Sequence, residues 1–352
     1  MNGHPSFPGI TVVISVFNKA DTVEKCISSI LEIDYPCWET LIIEGYSSDG
    51  SYDLLDKFRD KIRIVRMPGN YATALNSALD KVATPLIAIT DADCTVDRNW
   101  LKELAAGFSE ADDIVAVGGY VGTGEGLPLL PTLIGIELQE RYRYFPKYIS
   151  RSPTMNLCIR TDVARLVGFD ESLPFAVETD FGFRLTKLGK MLYNPRAIVR
   201  HYPRTTWNAF FLQQVGFARG ALRVYMKHKN RLSGDPISTF GMICQIPIFA
   251  LALACTFLAV VNRLYGYAAL ALLLLLLLIY IKDMLRLPIS KRHYPLMLVL
   301  FTVRTAGWVV GALKGLPLLV RGAVKESART IHSQCPPGEA AEKCKEMDDR
   351  FN

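Results

Sequence analysis

Two uncharged runs, Ile243–Val261 and Leu264–Ile281, limit what this chain can become more than any other feature. They are about 19 and about 18 residues long, enough for a helix to cross a ~30 Å hydrocarbon core. The block Leu270–Leu278 has no polar face, so a buried hairpin of a water-soluble domain does not account for it. Arg263 stands almost alone between the runs, whereas the loop after them holds Lys282, Arg286, Lys291 and Arg292. By the positive-inside rule that loop is cytoplasmic. The runs then form a helical hairpin on an integral membrane protein whose N-terminal part lies on the cytoplasmic face. Tyr294–Val320 is a third apolar segment, but it carries Arg304 and Lys314. A charge at mid-membrane is costly and marks function or snorkelling. We expect this segment to cross; an interfacial helix is the alternative. The expected organisation is a domain over 1–230, a helical membrane region over 237–320 and a polar tail over 321–352, its end (Ser333–Asn352) mixed in charge and mobile.

Half of the 352 residues are hydrophobic, and the excess sits mainly after position 236. Before it, charge and apolar periodicity are those of a soluble enzyme. The net charge of +6 is only mildly basic. The eight cysteines include no Cys-x-x-Cys pair and no nearby His spacing, which argues against a zinc site or a disulfide framework and fits a reducing setting. The N-terminus has no basic region followed by a long apolar run, so no cleavable signal peptide is expected.

The N-terminal part alternates short apolar runs with amphipathic ones. Ile10–Phe17 reads as a buried strand, followed by a polar turn with Asp21 as the expected cap of a helix over Thr22–Leu31. Strands over Glu39–Ile43, Lys61–Arg66 and Leu86–Ile89 alternate with helices over Tyr52–Phe58 and Ala72–Val82. Such alternation with short loops predicts a parallel sheet with right-handed crossovers. Ligands bind such sheets beyond the carboxyl ends of the strands. Two acidic turns fall there: Glu44-Gly45-Tyr46-Ser47-Ser48-Asp49 and Asp91-Ala92-Asp93. Paired carboxylates can hold a divalent cation and leave room for phosphate oxygens; helix capping is the bland alternative.

Several segments together resemble family 2 glycosyltransferases: Val12–Asn18, Ile42–Ser51, Ala74-Leu75-Asn76 and Thr90-Asp91-Ala92-Asp93, then Met155–Arg160, Val167–Glu171 and Glu178–Leu185. The likeness spans roughly residues 9–220. It implies an α/β fold, a Rossmann-like GT-A nucleotide-sugar-binding domain. It further implies that Val16, Phe17, Asn18, Glu44 and Asn76, with Asp91, hold a UDP- or GDP-sugar, Glu44 standing where the family usually has Asp. Asp91 and Asp93 would ligate Mn2+ or Mg2+, with His201 as a third metal or diphosphate ligand. Alignment on Arg184-Leu185 implies Glu178 as the base, with Asp180 as the second candidate. Processive synthases carry Gln-x-x-Arg-Trp where this chain has Gln214–Arg219-Gly220, a departure that favours single-sugar transfer. The segment Ala72–Asn76 lacks the basic residue often found there.

Arg141, Arg143, Lys147 and Arg151 interleave with Tyr142, Tyr144, Phe145 and Tyr148. Lys and Arg stems snorkel and tyrosines favour the headgroup zone, so this stretch suits membrane lipids or a lipid phosphate. No nucleic-acid-binding motif accompanies it, and nucleic acid is not an expected partner. Arg141, Arg143, Arg151, Arg204, Gln214 and Arg219 are the candidate contacts to acceptor or diphosphate. The expected function is inverting, metal-dependent transfer from a nucleotide sugar to a lipid-linked (polyprenyl or dolichyl) glycan acceptor. Two alternatives remain: a polyprenyl-phosphate monosaccharide synthase of the dolichol-phosphate-mannose type, and a non-catalytic membrane scaffold subunit.

Overall fold

The computed structural model describes residues 7–229 and 234–334. Its first half is built on β1 (Ile10–Val16), α1 (Val23–Leu31), β2 (Trp38–Glu44), α2 (Ser51–Asp56), β3 (Arg63–Arg66), α3 (Tyr71–Lys81) and β4 (Leu86–Asp91). These strands pair in parallel, β2 with β3 and β1 with both β2 and β4. Alternation sends Val12, Ile14 and Val16 to one core and Val13, Leu41 and Ile43 to the other, so both faces of the sheet are covered. The expected strands and helices are all present. The expected cap is not: Thr22 occupies the N-cap position and makes no side-chain capping bond, and Asp21 precedes it.

Beyond β4 the sheet departs from the parallel expectation. The chain continues through β5 (Cys94–Val96), α4 (Trp100–Gly107), β6 (Ile114–Thr123), α5 (Leu129–Tyr142), β7 (Tyr148–Ile149), β8 (Leu157–Arg160), α6 (Thr161–Val167), α7 (Val177–Leu185) and β9 (Lys190–His201). The described strands form one nine-stranded sheet, ordered β3-β2-β1-β4-β8-β6-β9-β5, with β7 on β9. β8 is antiparallel to both neighbours, and β5 and β7 are antiparallel to β9. Antiparallel neighbours need no crossover helix between them, so strand–helix alternation carries no signal for these pairings.

The remaining helices are α8 (Trp207–Lys227), α9 (Phe240–Leu258), α10 (Arg263–Met284) and α11 (Tyr294–Gln334). Thr206, Thr239 and Asn262 cap the first three through their side chains. Among the described residues, three segments are long and apolar enough to cross a membrane: Phe240–Leu258, Arg263–Met284 and Lys291–Pro317. The third helix runs on past the expected end at Val320 to Gln334, so residues 321–334 continue it rather than begin a tail. The rest of the expected tail, 335–352, lies outside the described residues.

α11 docks on α8 through a stripe of glycines. A Cβ at Gly307 would stand 2.8 Å from that of Gln214, one at Gly311 2.9 Å from that of Ala218, and one at Gly315 3.1 Å from Leu222 Cδ2. A third apolar cluster joins the two halves, bringing Leu133 and Ile134 of α5 and Phe210 of α8 against Leu276, Tyr280, Leu300 and Phe301.

Candidate active site

The carboxyl ends of β1, β2 and β4 open into a cavity of about 800 Å³ that continues under α8, α9 and α11. Among the described residues the non-glycine positions with positive φ are Asn18, Tyr46 and Ala176. Each lies in or beside a loop on the cavity wall, which Phe17, Gly45 and Ala176 line. Strained backbone gathers where the surroundings hold it for function.

The acidic turn after β4 is the polar centre. The Tyr71 hydroxyl donates to Asp91 Oδ1 at 2.8 Å, and the Lys19 ammonium pairs with Asp93. β5 folds back onto β9 and sets Cys94 opposite His201. This places His201 Nε2 3.8 Å from Asp93 Oδ1. Burial and the Asp93 charge push Asp91 up to about 7. Asp93 feels the same burial, but the charges of His201 and Lys19 hold it below the usual carboxylate range. Burial lowers His201, against the pull of the Asp93 charge, which acts to raise it.

These residues fit a divalent cation. Two carboxylates supply hard oxygen donors, and His201 Nδ1 is buried with no partner. Among the described residues no group of three or more His, Cys, Asp or Glu side chains is already gathered for a metal. Lys19 was missed in the sequence. Its signal was there, a cation just beyond the β1 carboxyl end.

Glu178 sits in the first turn of α7 and lines the cavity, with Arg151 Nη1 4.0 Å away. Asp180 does not line it. It is fully buried, bonded to Arg184 at 2.7 Å and to His228 at 2.9 Å, with Lys227 2.8 Å away. Although its burial acts the other way, those three partners hold its carboxyl below the usual range. The second base candidate is thus a structural anion tying α7 to α8, because its oxygens are consumed inside the fold. Arg151 is the hinge of this wall. It donates to the Thr179 hydroxyl at 2.6 Å and to both oxygens of Asp235 at 2.8 and 3.0 Å, joining the neighbour of Glu178 to the loop that enters α9.

The other sequence candidates divide. Val16, Phe17, Arg141, Arg151, Arg204 and Gln214 line the cavity. Asn18 braces the following loop: its amide oxygen accepts from the backbone N–H of Ser48. Glu44 is fully buried, taking Arg66 at 2.7 Å and the backbone N–H groups of Tyr46 and Ser47. Asn76 donates to Phe169 O and Glu171 and lies off the cavity, so its amide pins α3 to a distant loop. Arg143 pairs with Glu140 outside the cavity, and Arg219 is exposed on the far face of α8.

Known proteins resemble this chain in sequence and in fold. The sequence model of Glycosyl transferase family 2 matches residues 11–170. The chain is 24% identical over 238 residues to glycosyltransferase AglE of Haloferax volcanii, spanning 63% of this chain and 75% of that protein. It is 23% identical over 239 residues to the poly-beta-1,6-N-acetyl-D-glucosamine synthase of Staphylococcus epidermidis, spanning 64% of this chain but 57% of that one. Among solved structures, the mannosyltransferase PcManGT of Pyrobaculum calidifontis, in complex with GDP-Man and Mn2+, superposes with a TM-score of 0.60. That match covers 89% of this chain and 88% of the other at 18% identity, a likeness of fold.

Proposed function

We propose that this chain, whose residues 11–170 match the sequence model of Glycosyl transferase family 2 and whose fold is GT-A, moves one sugar from a UDP- or GDP-sugar to a lipid-linked acceptor at the cytoplasmic face of a membrane. The observation that carries this reading is the continuity of the cavity. It begins at Phe17, Asp91 and Asp93 and ends against Ile243 and Ile246 of α9 and Ala312 of α11. A polar donor and an amphiphilic acceptor can meet in it without either leaving its own solvent. The mannosyltransferase likeness supports a nucleotide-sugar donor, and the three apolar helices support an anchored enzyme.

Asp91, Asp93 and His201 would hold Mn2+ or Mg2+, which when bound neutralises charge on the departing nucleoside diphosphate. Lys19 and Arg204 add fixed positive charge on the same side. Glu178 accepts the proton of the acceptor hydroxyl as its oxygen bonds to the anomeric carbon. The bond from that carbon to the diphosphate oxygen breaks, and its electron pair leaves with the nucleotide. Attack from the face opposite the leaving group inverts the anomeric centre.

The test is donor turnover by the detergent-purified full chain against UDP- and GDP-sugars, with polyprenyl-linked acceptors and with Mn2+, Mg2+ or EDTA. One nucleoside diphosphate released, dependent on the acceptor and lost in EDTA, is the expected result. Turnover that persists in EDTA sinks the metal assignment. A water-soluble acceptor used in preference to any lipid sinks the acceptor class.

A further inference from the structure

We propose that Arg141 and Arg304, gathered around Glu137, form the seat for the phosphate of an isoprenoid lipid acceptor at the membrane end of the cavity. This rests on the lipid-linked acceptor proposed for the site, and adds to it the group recognised and the residues that recognise it.

Arg304 lies within the third apolar segment, on α11, and is 2% exposed. A buried guanidinium needs a partner. Its carboxylate partner comes from the catalytic domain: Nη1 donates to Glu137 Oε1 of α5 at 2.5 Å. Glu137 is already engaged by Arg141, whose Nη2 reaches both carboxylate oxygens at 2.6 and 2.7 Å. Two guanidinium groups thus share one carboxylate, leaving one positive charge in surplus. Arg304 Nη2 donates to Gln245 Oε1 at 3.0 Å, while its Nε is buried with no partner. Asp283 lies close enough for its charge to act on Arg304, but it is outside the cavity lining and accepts from the Gln245 amide at 3.4 Å, so the surplus is one of the cavity side.

A structural clamp between α5 and α11 would need only Arg304 and Glu137. Arg141 also donates from Nη1 to Ile237 O at 3.3 Å, so it braces the segment entering α9 as well, but the idle Arg304 Nε is more than a clamp requires, and all three side chains line the cavity that Asp93 and Glu178 share. A phosphate matches the surplus charge and the fork geometry of guanidinium. The adjoining wall selects what bears that phosphate. Ile134 and Leu138 of α5, Ile243 and Ile246 of α9 and Ala312 of α11 offer hydrocarbon contact beside the cations. A free phosphate or a neutral sugar would use only one of these two surfaces; an isoprenyl phosphate uses both.

The full chain in phosphatidylcholine nanodiscs would be titrated with undecaprenyl phosphate, uncharged dolichol and inorganic phosphate. The same titrations would follow on Arg304→Gln, Arg304→Lys and Arg141→Gln. Nucleoside diphosphate binding at the other end of the cavity checks the fold of each sample. We expect the wild type to bind undecaprenyl phosphate far better than dolichol or inorganic phosphate. Arg304→Gln should weaken that binding roughly 10- to 100-fold, as expected for loss of a charged hydrogen-bond partner. Arg304→Lys should fall between, keeping charge but losing the fork. If Arg304→Gln does not fold, Arg141→Gln on the catalytic domain is read for the same loss. Wild-type affinity for undecaprenyl phosphate in the glutamine variants overturns the seat, and leaves the lipid-acceptor reading intact if transfer to a lipid still occurs. Equal affinity for inorganic phosphate assigns the seat to a free anion and overturns its lipid part. No binding of the lipid together with transfer to a soluble acceptor removes both.

Discussion

The sheet and the C-terminal helices use the same apolar residues in opposite directions. In β1, β2 and β4 the branched aliphatics point inward, with Ile14, Ile42 and Ile89 fully buried. In α9 and α10 they point outward: Leu278 is 64% exposed and Phe257 80% exposed. The polar residues reverse as well. Gln245, Arg304 and Thr305 are buried among the helices, where Tyr280 donates to Thr305 at 2.7 Å. The difference teaches that hydrophobicity alone does not say where a side chain goes; the solvent each region faces decides it. α11 stands between the two regimes, 44% buried over its most apolar stretch against 17% for α9 and for α10.

The largest expected effects are chemical and belong to the sheet side. Asp93→Ala should lower metal-dependent transfer about 10³-fold, with the melting temperature nearly unchanged; transfer at wild-type rate would remove Asp93 from the site. Glu178→Gln should cost about 10²- to 10³-fold in transfer while nucleotide binding holds, as read by single-turnover assays. If Asp180→Asn alone does this, the base assignment is wrong. The contrast of solvents is tested directly by thermal melts in one detergent. Ile42→Ala should cost about 2–5 kcal/mol as a cavity in a packed core, whereas Leu278→Ala should stay within about 0.5 kcal/mol. Equal losses would show that the helices bury their outer face against protein rather than lipid. Between the regions, Gly311→Leu should cost about 1–3 kcal/mol by wedging α11 from α8, visible as earlier proteolysis of the junction.

The smallest effect is one of pH. Asp180 and Asp235 are held below the usual carboxylate range despite their burial, Asp180 chiefly by hydrogen bonds from Lys227, His228 and Arg184 and Asp235 chiefly by the Arg151 charge. Because the folded form holds its protons less tightly, the stability these groups add is present above the ordinary aspartate value. It is lost as pH falls through the lower folded values. Melts from pH 6 to pH 3 should decline at the acid end, and Asp180→Asn should flatten that decline.

The first half of the sheet was legible because buried parallel strands read as short apolar runs, Ile10–Phe17 and Leu86–Ile89 among them. The membrane candidates were legible because a run such as Leu270–Leu278 has one physical explanation. The antiparallel insertion of β8 was not, since a four-residue strand flanked by turns looks like many other tetrapeptides. In the site, Asp91 and Asp93 could be named from their position beyond a strand end, whereas Glu178 was named through the likeness of its segment to the family. Asp180 could not be told from Glu178, because what separates them is burial against Lys227 and His228 in another helix. The Arg304–Glu137 pair joins residues 167 positions apart, and nothing in either residue names its partner. Asn76 shows the converse error: a residue in a recognisable segment whose amide the fold spends on its own loop.

The glycine stripe of α11 has a mechanical consequence. With no side chain on its own side of the contact, α11 lies directly on Gln214, Ala218 and Leu222 of α8, so the catalytic side and the apolar helices are joined at short range. If the acceptor is the lipid-linked glycan proposed above, it would reach Asp93 and Glu178 by lateral diffusion in the plane of the bilayer, and a glycan whose reactive hydroxyl stands above or below them would go unused, however well its sugars fit.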